Sequence, residues 1–504
     1  MAITTVRPNG VASGASSYTI TGGSATTNAA VSDNSDSTFI TKSSAVTGQA
    51  SIVFDFGTTT ISASQRVKRV RIRGRVVTTT AAGKINLYLG SRVDNENYYH
   101  SAFAIRGLNT ITTFVSAWWT SSPDGADWSQ ASINGLRAKV TEYNDSSDRA
   151  NLYELYIDVD IAAQPTVTVS APTGTITNSA APDVTWAFAD TDGETQAYYQ
   201  FKVFTAAQYG AGGFSALTST ATYNSGEIGS TDNAAVIGEL LNVGTYRVYV
   251  RTAKSVNGQP FWSDYAFSGF VLSFTPTTVP TMVVAWDSNL GKATFTLTGA
   301  APTGYTSQYF DVHRSDDDGV IYSEIRNGER IIPSATHVGT AVDYEAPRST
   351  VAYYRCRSVG VDASSNEFPS AWGTVQQVLV TNDETWWFKV IEEPDYNLGS
   401  VRVLADLDVT IEEPNIIFRP LGATRPIVVA GPLQGEDGIY NIKTITETEW
   451  DDFYLVLTHQ GTLLVQDPLG NQKYVRITDR TWVAETVSGV IHRNIEAAYV
   501  EVDA

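Results

Sequence analysis

A single cysteine in 504 residues excludes an intrachain disulfide framework. That residue, Cys356, lies in a strand-like run and reads as a small buried hydrophobe. No run of about 18 apolar residues occurs, so no helical membrane span is expected. The start, Met1-Ala2-Ile3-Thr4-Thr5-Val6, has no basic segment leading into an apolar core, so no secretory signal is expected either. Charge is scarce, at 17% of residues against roughly 25% in an average soluble chain. Five histidines (His100, His313, His337, His459 and His492) stand too far apart for a short metal-ligand motif. There is no G-x-S-x-G elbow, P-loop or dinucleotide fingerprint, and nothing favours a remote catalytic triad. Neither an enzyme nor a cofactor is expected.

What the chain has is aromatic and β-forming. It carries 25 Tyr and 11 Trp among abundant Ser, Thr, Ala and Gly, which suits many short strands. The formal net charge is −19. By count, residues 1–163 hold 14 Lys+Arg and 13 Asp+Glu, leaving 20 and 40 of the totals 34 and 53 for residues 164–504. The deficit lies wholly after residue 163. An acidic chain gains nothing from neutralising phosphates, so nucleic acid is not an expected partner.

Residues 1–163 predict a jelly-roll-like β-sandwich of about eight strands. These fall at 51–57, 65–77, 84–89, 102–105, 112–119, 131–140 and 153–161, with short edge strands before residue 50. Along 65–77, Val67, Arg69, Arg71, Arg73 and Arg75 share one face, and Lys68, Val70, Ile72, Gly74 and Val76 the other. The arginine row reads either as a solvated outer face or as one that meets acidic neighbours or another subunit. Along 153–161, Glu154, Tyr156, Asp158 and Asp160 alternate with apolar residues and should point outward.

Residues 165–380 write one pattern twice, with a period of roughly 105 residues, which marks a tandem domain. Trp186 and Trp286, and Tyr246 and Tyr353, are the landmarks. Each copy resembles a fibronectin type III domain, which implies a seven-strand sandwich. The expected boundaries are 164–275 and 276–381. Residues 382–504 read as a β-barrel with one helix over 447–460, where Trp450, Phe453, Tyr454 and Leu457 share a side. The runs 418–422, 425–429, 431–433, 466–470 and 474–476 in this region resemble the C-terminal domain of minor tail proteins from siphophages of actinobacteria.

The resemblance implies a structural component of a siphophage tail tip, made in the host cytoplasm and located in the virion. It implies a barrel that assembles with other tail-tip proteins and with copies of itself, in trimer- or hexamer-type symmetry. The type III pair becomes a spacer, and the N-terminal sandwich a projecting head that contacts the host surface. The alternative is a secreted carbohydrate-binding protein or carbohydrate-active enzyme with type III linkers.

Two places invite a ligand. Tyr98, Tyr99, Trp118, Trp119 and Trp128, near Asp94, Asn95, Glu96, Asp124 and Asp127, suit a host-surface glycan, because aromatic faces cover sugar C–H groups while polar groups bond hydroxyls. Alternation along a strand leaves one of Trp118 and Trp119 in the core. Asp190, Asp192 and Glu194, on a tight acidic turn, form a calcium candidate that lacks a full twelve-residue loop. The other acidic runs, 316–319, 392–394 and 412–414, read as solvated turns and loops.

Overall fold

The computed structural model describes residues 2–22, 26–32, 35–43, 46, 49–78, 84–93, 96–106, 110–142, 150–288, 291–380, 386–391, 397–403, 408–411, 415–418, 427–430 and 436–503. The protein is mainly β, with 55% of residues in strands and 7% in helices. By contact density it divides into two units. One is residues 1–175, 181–239 and 244–271; the other is residues 176–180, 240–243 and 272–504.

The N-terminal sandwich has twelve strands: Ala2–Val6 (β1), Pro8–Ser13 (β2), Tyr18–Thr21 (β3), Phe39–Lys42 (β4), Ala50–Phe56 (β5), Gln65–Thr78 (β6), Lys84–Val93 (β7), Glu96–Tyr99 (β8), Phe103–Arg106 (β9), Thr112–Val115 (β10), Leu136–Glu142 (β11) and Ala150–Ala163 (β12). One sheet runs β10-β6-β12-β4-β3 with β1 added on β12; the other runs β2-β5-β11-β7-β8 with β9 added on β7. Their inner faces meet in one core that includes Ile52, Phe54, Val70, Ile72, Leu87, Val140, Leu155, Ile157 and Val159. Residues 131–134, expected to open a strand, instead belong to a short helix, Gln130–Asn134. Ser129 caps it, accepting from the Ser132 amide, and such a local bond outcompetes weak strand propensity.

A β-bulge lies where Val67 pairs with Ile161 and Arg69 with Asp160, leaving Lys68 unopposed. It turns Val67 into the core beside Val70, although simple alternation places Val67 with the arginines.

Both type III-like copies are two-sheet sandwiches. In the first, Asp183–Ala189 sits between Thr166–Ala171 and Ala234–Val236, facing a sheet built on Tyr198–Thr205 and Gly244–Val256. In the second, Lys292–Thr298 sits between Thr281–Asp287 and Val338–Asp343, facing a sheet built on Ser307–Ser315 and Val351–Val361. The landmarks need correction. Trp186 is buried on the central strand of its sheet, but Trp286 lies on an outer strand, and Phe295 holds the central buried place. Likewise, Ser263 N–H donates to Thr252 O and Ser370 N–H to Ser358 O. Counted from these equivalent bonds, Tyr246 corresponds to Ala352 of the second copy, not to Tyr353.

The C-terminal region is a closed barrel. Its sheet runs Asn397–Val403, Trp386–Val390, Leu463–Gln466, Gln472–Val487, Val490–Glu501 and Glu436–Thr444, and the last pairs back to the first through Arg402 with Lys443 and Val403 with Ile442. Closure removes the free edges a flat sheet would expose. The helix spans Glu447–Thr458, started by a capping box between Thr446 and Glu449. It buries Phe453, Val456 and Leu457, so Val456 takes the core place expected of Tyr454, which is exposed. Of the runs that carry the tail-protein resemblance, 419–426 and 431–433 lie outside the described residues.

Candidate ligand-binding face

The outer face of the β6–β12 pair is an ionic lattice. In register, Arg69 lies opposite Asp160, Arg71 opposite Asp158, Arg73 opposite Tyr156 and Arg75 opposite Glu154. Directly opposed charges of opposite sign stabilise a sheet by roughly 0.2–1 kcal/mol per pair. Arg69 Nε donates to Asp160 Oδ2 at 2.8 Å, and Arg71 Nε to Asp158 Oδ2 at 3.0 Å. Arg73 Nε donates to Asp158 Oδ1 at 2.9 Å, and Thr5 Oγ1 reaches the same oxygen at 2.9 Å. Arg75 pairs with Asp36 and, at 3.5 Å, with Glu154. The arginine row thus meets acidic neighbours while staying partly exposed on an outer face. The neighbours are the acidic row of β12, whose carboxylates are shielded from water by the guanidiniums above them.

Two rings stand in this lattice. Trp118 lies under Arg69 and Arg71, at 4.6 and 4.3 Å from ring centroid to guanidinium carbon. Tyr156 lies under Arg7 and Arg73, at 4.7 and 4.9 Å. Such cation–π contacts fix the guanidiniums in place. Burial and a hydrogen bond with Glu154 push the Tyr156 hydroxyl up to about 12, so it stays protonated. Beside Tyr156 a hollow of about 410 Å³ opens, lined by Thr5, Arg7, Arg73, Arg75, Thr113 and Glu154. Its floor is Gly74, where a Cβ would come within 2.1 Å of Glu154 O and 2.7 Å of the Phe114 ring.

The five aromatics expected to form one glycan platform do not converge. Trp118 belongs to the arginine lattice. Trp119 stacks on His100 with centroids 5.0 Å apart, and its backbone bridges to Val70. Trp128 is buried in the core, its indole N–H donating to Trp119 O at 3.1 Å. Tyr98 and Tyr99 belong to β8 on the other sheet, where Tyr99 packs edge-on against Tyr88, and Lys139 lies over both rings. Two sheets separate what a short stretch of sequence brings together. Asp94 and Asn95 lie outside the described residues, as does the side chain of Glu96. Asp124 is spent on its own turn, accepting from the Ala126 amide.

The calcium candidate is also corrected. Asp190, Asp192 and Glu194 do converge, but on an ammonium: Lys254 Nζ lies 2.7, 2.8 and 3.5 Å from their oxygens. Lys68, freed by the bulge, takes the other Glu194 oxygen. The Ala163 amide donates to Asp192 at 2.8 Å. The acidic turn is thus a joint between the N-terminal sandwich and the first type III-like copy. Two ammonium groups, Lys254 and Lys68, already occupy the place between its three carboxylates. A larger depression of about 680 Å³ is lined by Asn9, Asp55, Arg92 and Arg137, with Arg137 closed by Asp55 at 2.7 Å.

Sequence reading missed Arg7 and Tyr156 as site residues. The signal was present in two alternating rows, one basic and one acidic, that strand pairing then zipped together.

No family model and no curated protein matches this chain. Among solved structures, the chicken interferon gamma receptor alpha chain is 11% identical over 44% of this chain and 99% of its own, with a TM-score of 0.17. A marsupial T cell receptor is 10% identical over 67% and 97%, also at 0.17. The alpha-2-macroglobulin of E. coli is 7% identical over 90% of this chain and 27% of its own, at 0.18. TM-scores this low leave the fold class resting on the strands and sheets themselves.

Proposed function

We propose that the protein is a structural component of a siphophage tail tip, with the C-terminal barrel as its assembly module. The type III-like pair links that barrel to an N-terminal head that touches the host surface. The carrying observation is the hairpin of Gln472–Val487 and Val490–Glu501, which continues past the barrel wall. All eleven residues from Thr481 to Ile491 are exposed. A two-stranded ribbon held only at its base, where Trp482 meets the helix, is at best marginally stable in water, so it calls for a partner surface. Val483, Val487 and Val490 share one of its faces, and Trp482 and Ile491 the other. A closed ring of identical subunits supplies that surface in every interface at once.

The role is one of architecture and binding, with no catalytic step. The outer face of the head adds a specific observation for surface recognition, namely the fixed guanidiniums around the hollow beside Tyr156. Electron microscopy of phage particles carrying a tagged copy of this chain tests the reading. Label at the distal end of the tail is expected. Label confined to the capsid, or particles without label, overturns it.

A further inference from the structure

Charge along the outer lattice of the head is unevenly matched. Arg69 is matched by Asp160, and Arg75 has two carboxylates, Asp36 and Glu154. Around Asp158 the balance differs: Arg71 and Arg73 both bond this one carboxylate. Arg7 stands beside them over the Tyr156 ring, and its guanidinium donates at 2.5 Å to a neutral acceptor, Ser32 O. The hollow itself is lined by three guanidiniums, those of Arg7, Arg73 and Arg75, and by one carboxylate, Glu154. Arg7 and Arg73 are held on a common ring, so neither retracts freely from the other. Like charges held together in this way are relieved by an anion, and guanidiniums bond carboxylates and phosphates in bidentate fashion.

We propose that the hollow beside Tyr156 binds an anionic sugar unit, with its carboxylate or phosphate received by Arg7 and Arg73 and its hydroxyls bonded by Thr5, Thr113 and Glu154. The proposal rests on the reading of the N-terminal sandwich as a surface-contacting head, and it names the chemistry that head recognises. Tyr156 orients the guanidiniums and is too buried to stack on the sugar itself. The volume of about 410 Å³ admits one or two pyranose rings and no large apolar ligand. A nucleic acid is disfavoured, since Glu154 lines the hollow and Asp36 bonds Arg75, so an extended row of phosphates meets carboxylates there. The hollow selects one isolated negative charge within a polar ring of hydroxyls.

Calorimetric titration of the full chain tests this with three probes: trigalacturonate, glucose 6-phosphate and uncharged maltotriose. At least one anionic probe is expected to bind, and maltotriose is not. Whether the uronate or the phosphate binds identifies the source of the charge. Arg7→Ala removes an exposed side chain and is expected to weaken binding about tenfold or more, the scale of a lost charge-assisted contact. Thr113→Asp, at another exposed site, places a like charge at the mouth and is expected to do the same. Far-ultraviolet circular dichroism of both variants confirms that the fold is kept. No anionic binding at millimolar concentration, maltotriose binding as tightly, or wild-type affinity in both variants each overturns the inference. None of these results bears on where the chain sits in a virion, so the tail-tip reading stands or falls separately.

Discussion

Lys254 Nζ lies 2.7 Å from Asp190 Oδ1, and both side chains are completely shielded from water. Asp192 at 2.8 Å and Glu194 at 3.5 Å complete the shell. Burial alone pushes an ammonium toward its neutral form, but the bonds from Asp190 and Asp192 outweigh it and hold the Lys254 pKa above its usual value. The Asp192 pKa is opposed by burial too, yet Lys254 and the Ala163 amide hold it down.

Removing the cation leaves a cluster of carboxylates with no nearby neutraliser except Lys68. Lys254→Ala is therefore expected to cost about 3–5 kcal/mol, the scale for breaking a buried pair from one side. Hydrogen exchange of strand 244–256 in the full chain reads the loss locally, and a change below about 1 kcal/mol refutes the argument. The pH dependence follows from the directions. The Asp192 contribution is present above the ordinary carboxylate range and lost as pH falls through its depressed folded value. The Lys254 contribution is present below the ordinary lysine range and lost as pH rises through its raised folded value. Protection of this joint should be flat between those limits and fall beyond both.

Lys389 gives the opposite sign. Its ammonium is buried and bonded only to neutral acceptors: Gly291 O at 2.7 Å, Tyr344 O at 2.7 Å and Gln466 Oε1 at 2.6 Å. Burial lowers its pKa to about 7. The unfolded chain then binds more protons between pH 7 and the ordinary lysine range, so stability rises with pH across that window, by up to about 1.4 kcal/mol per unit. Lys389→Met removes this titration. The difference between wild type and variant, read by hydrogen exchange of 386–390 from pH 7 to 10, should grow with pH, and a constant difference contradicts the assignment.

Gly74 tests the floor of the hollow. A methyl group there meets Glu154 O and the Phe114 ring well inside contact distance, with backbone on one side that cannot yield. Gly74→Ala is expected to destabilise the head by about 1–3 kcal/mol, the usual cost of overpacking, and to disturb the β6–β10 pairing. Urea titration followed by tryptophan fluorescence checks this, and a shift within error removes Gly74 as a packing constraint.

The strand alternation that defines each face was legible because period two is local. The Arg69–Arg75 row and the Glu154–Asp160 row were both visible, as was the helix expected over 447–460, which ends at Thr458. Their partnership was not, since β6 and β12 are brought together only by the pairing of residues 79 (Arg75 with Glu154) to 91 (Arg69 with Asp160) apart. Aromatic neighbours in sequence misled for the same reason: Tyr99 lies on one sheet of the sandwich, and Trp118 lies against the arginines of the other. The acidic turn at 190–194 was legible as a gathering of carboxylates and not as a lysine site, because Lys254 comes from a strand some sixty residues on. The repeat was legible as a fold and misregistered in detail, because Trp286 and Trp186 satisfy the same composition on non-equivalent strands. The hairpin tip left almost no signal, since exposed valines in a strand read like any other strand.

That tip carries the sharpest test of assembly. Trp482 is anchored at its base, 5.4 Å from Trp450 and 6.0 Å from Tyr454 of the helix, so the ribbon is held at one end and bare at the other. Val483 is 65% exposed and Val487 43%. In a lone chain, charging them costs little, because there is nothing to desolvate. In an assembly, two carboxylates enter an apolar interface without partners, a cost of several kcal/mol per contact. Val483→Asp with Val487→Asp should therefore keep the far-ultraviolet circular dichroism of the folded chain and convert the oligomer to monomer. Analytical ultracentrifugation of the full chain reads both states. A wild-type chain that stays monomeric at tens of micromolar, or a variant that assembles as well as wild type, refutes the hairpin as the assembly element.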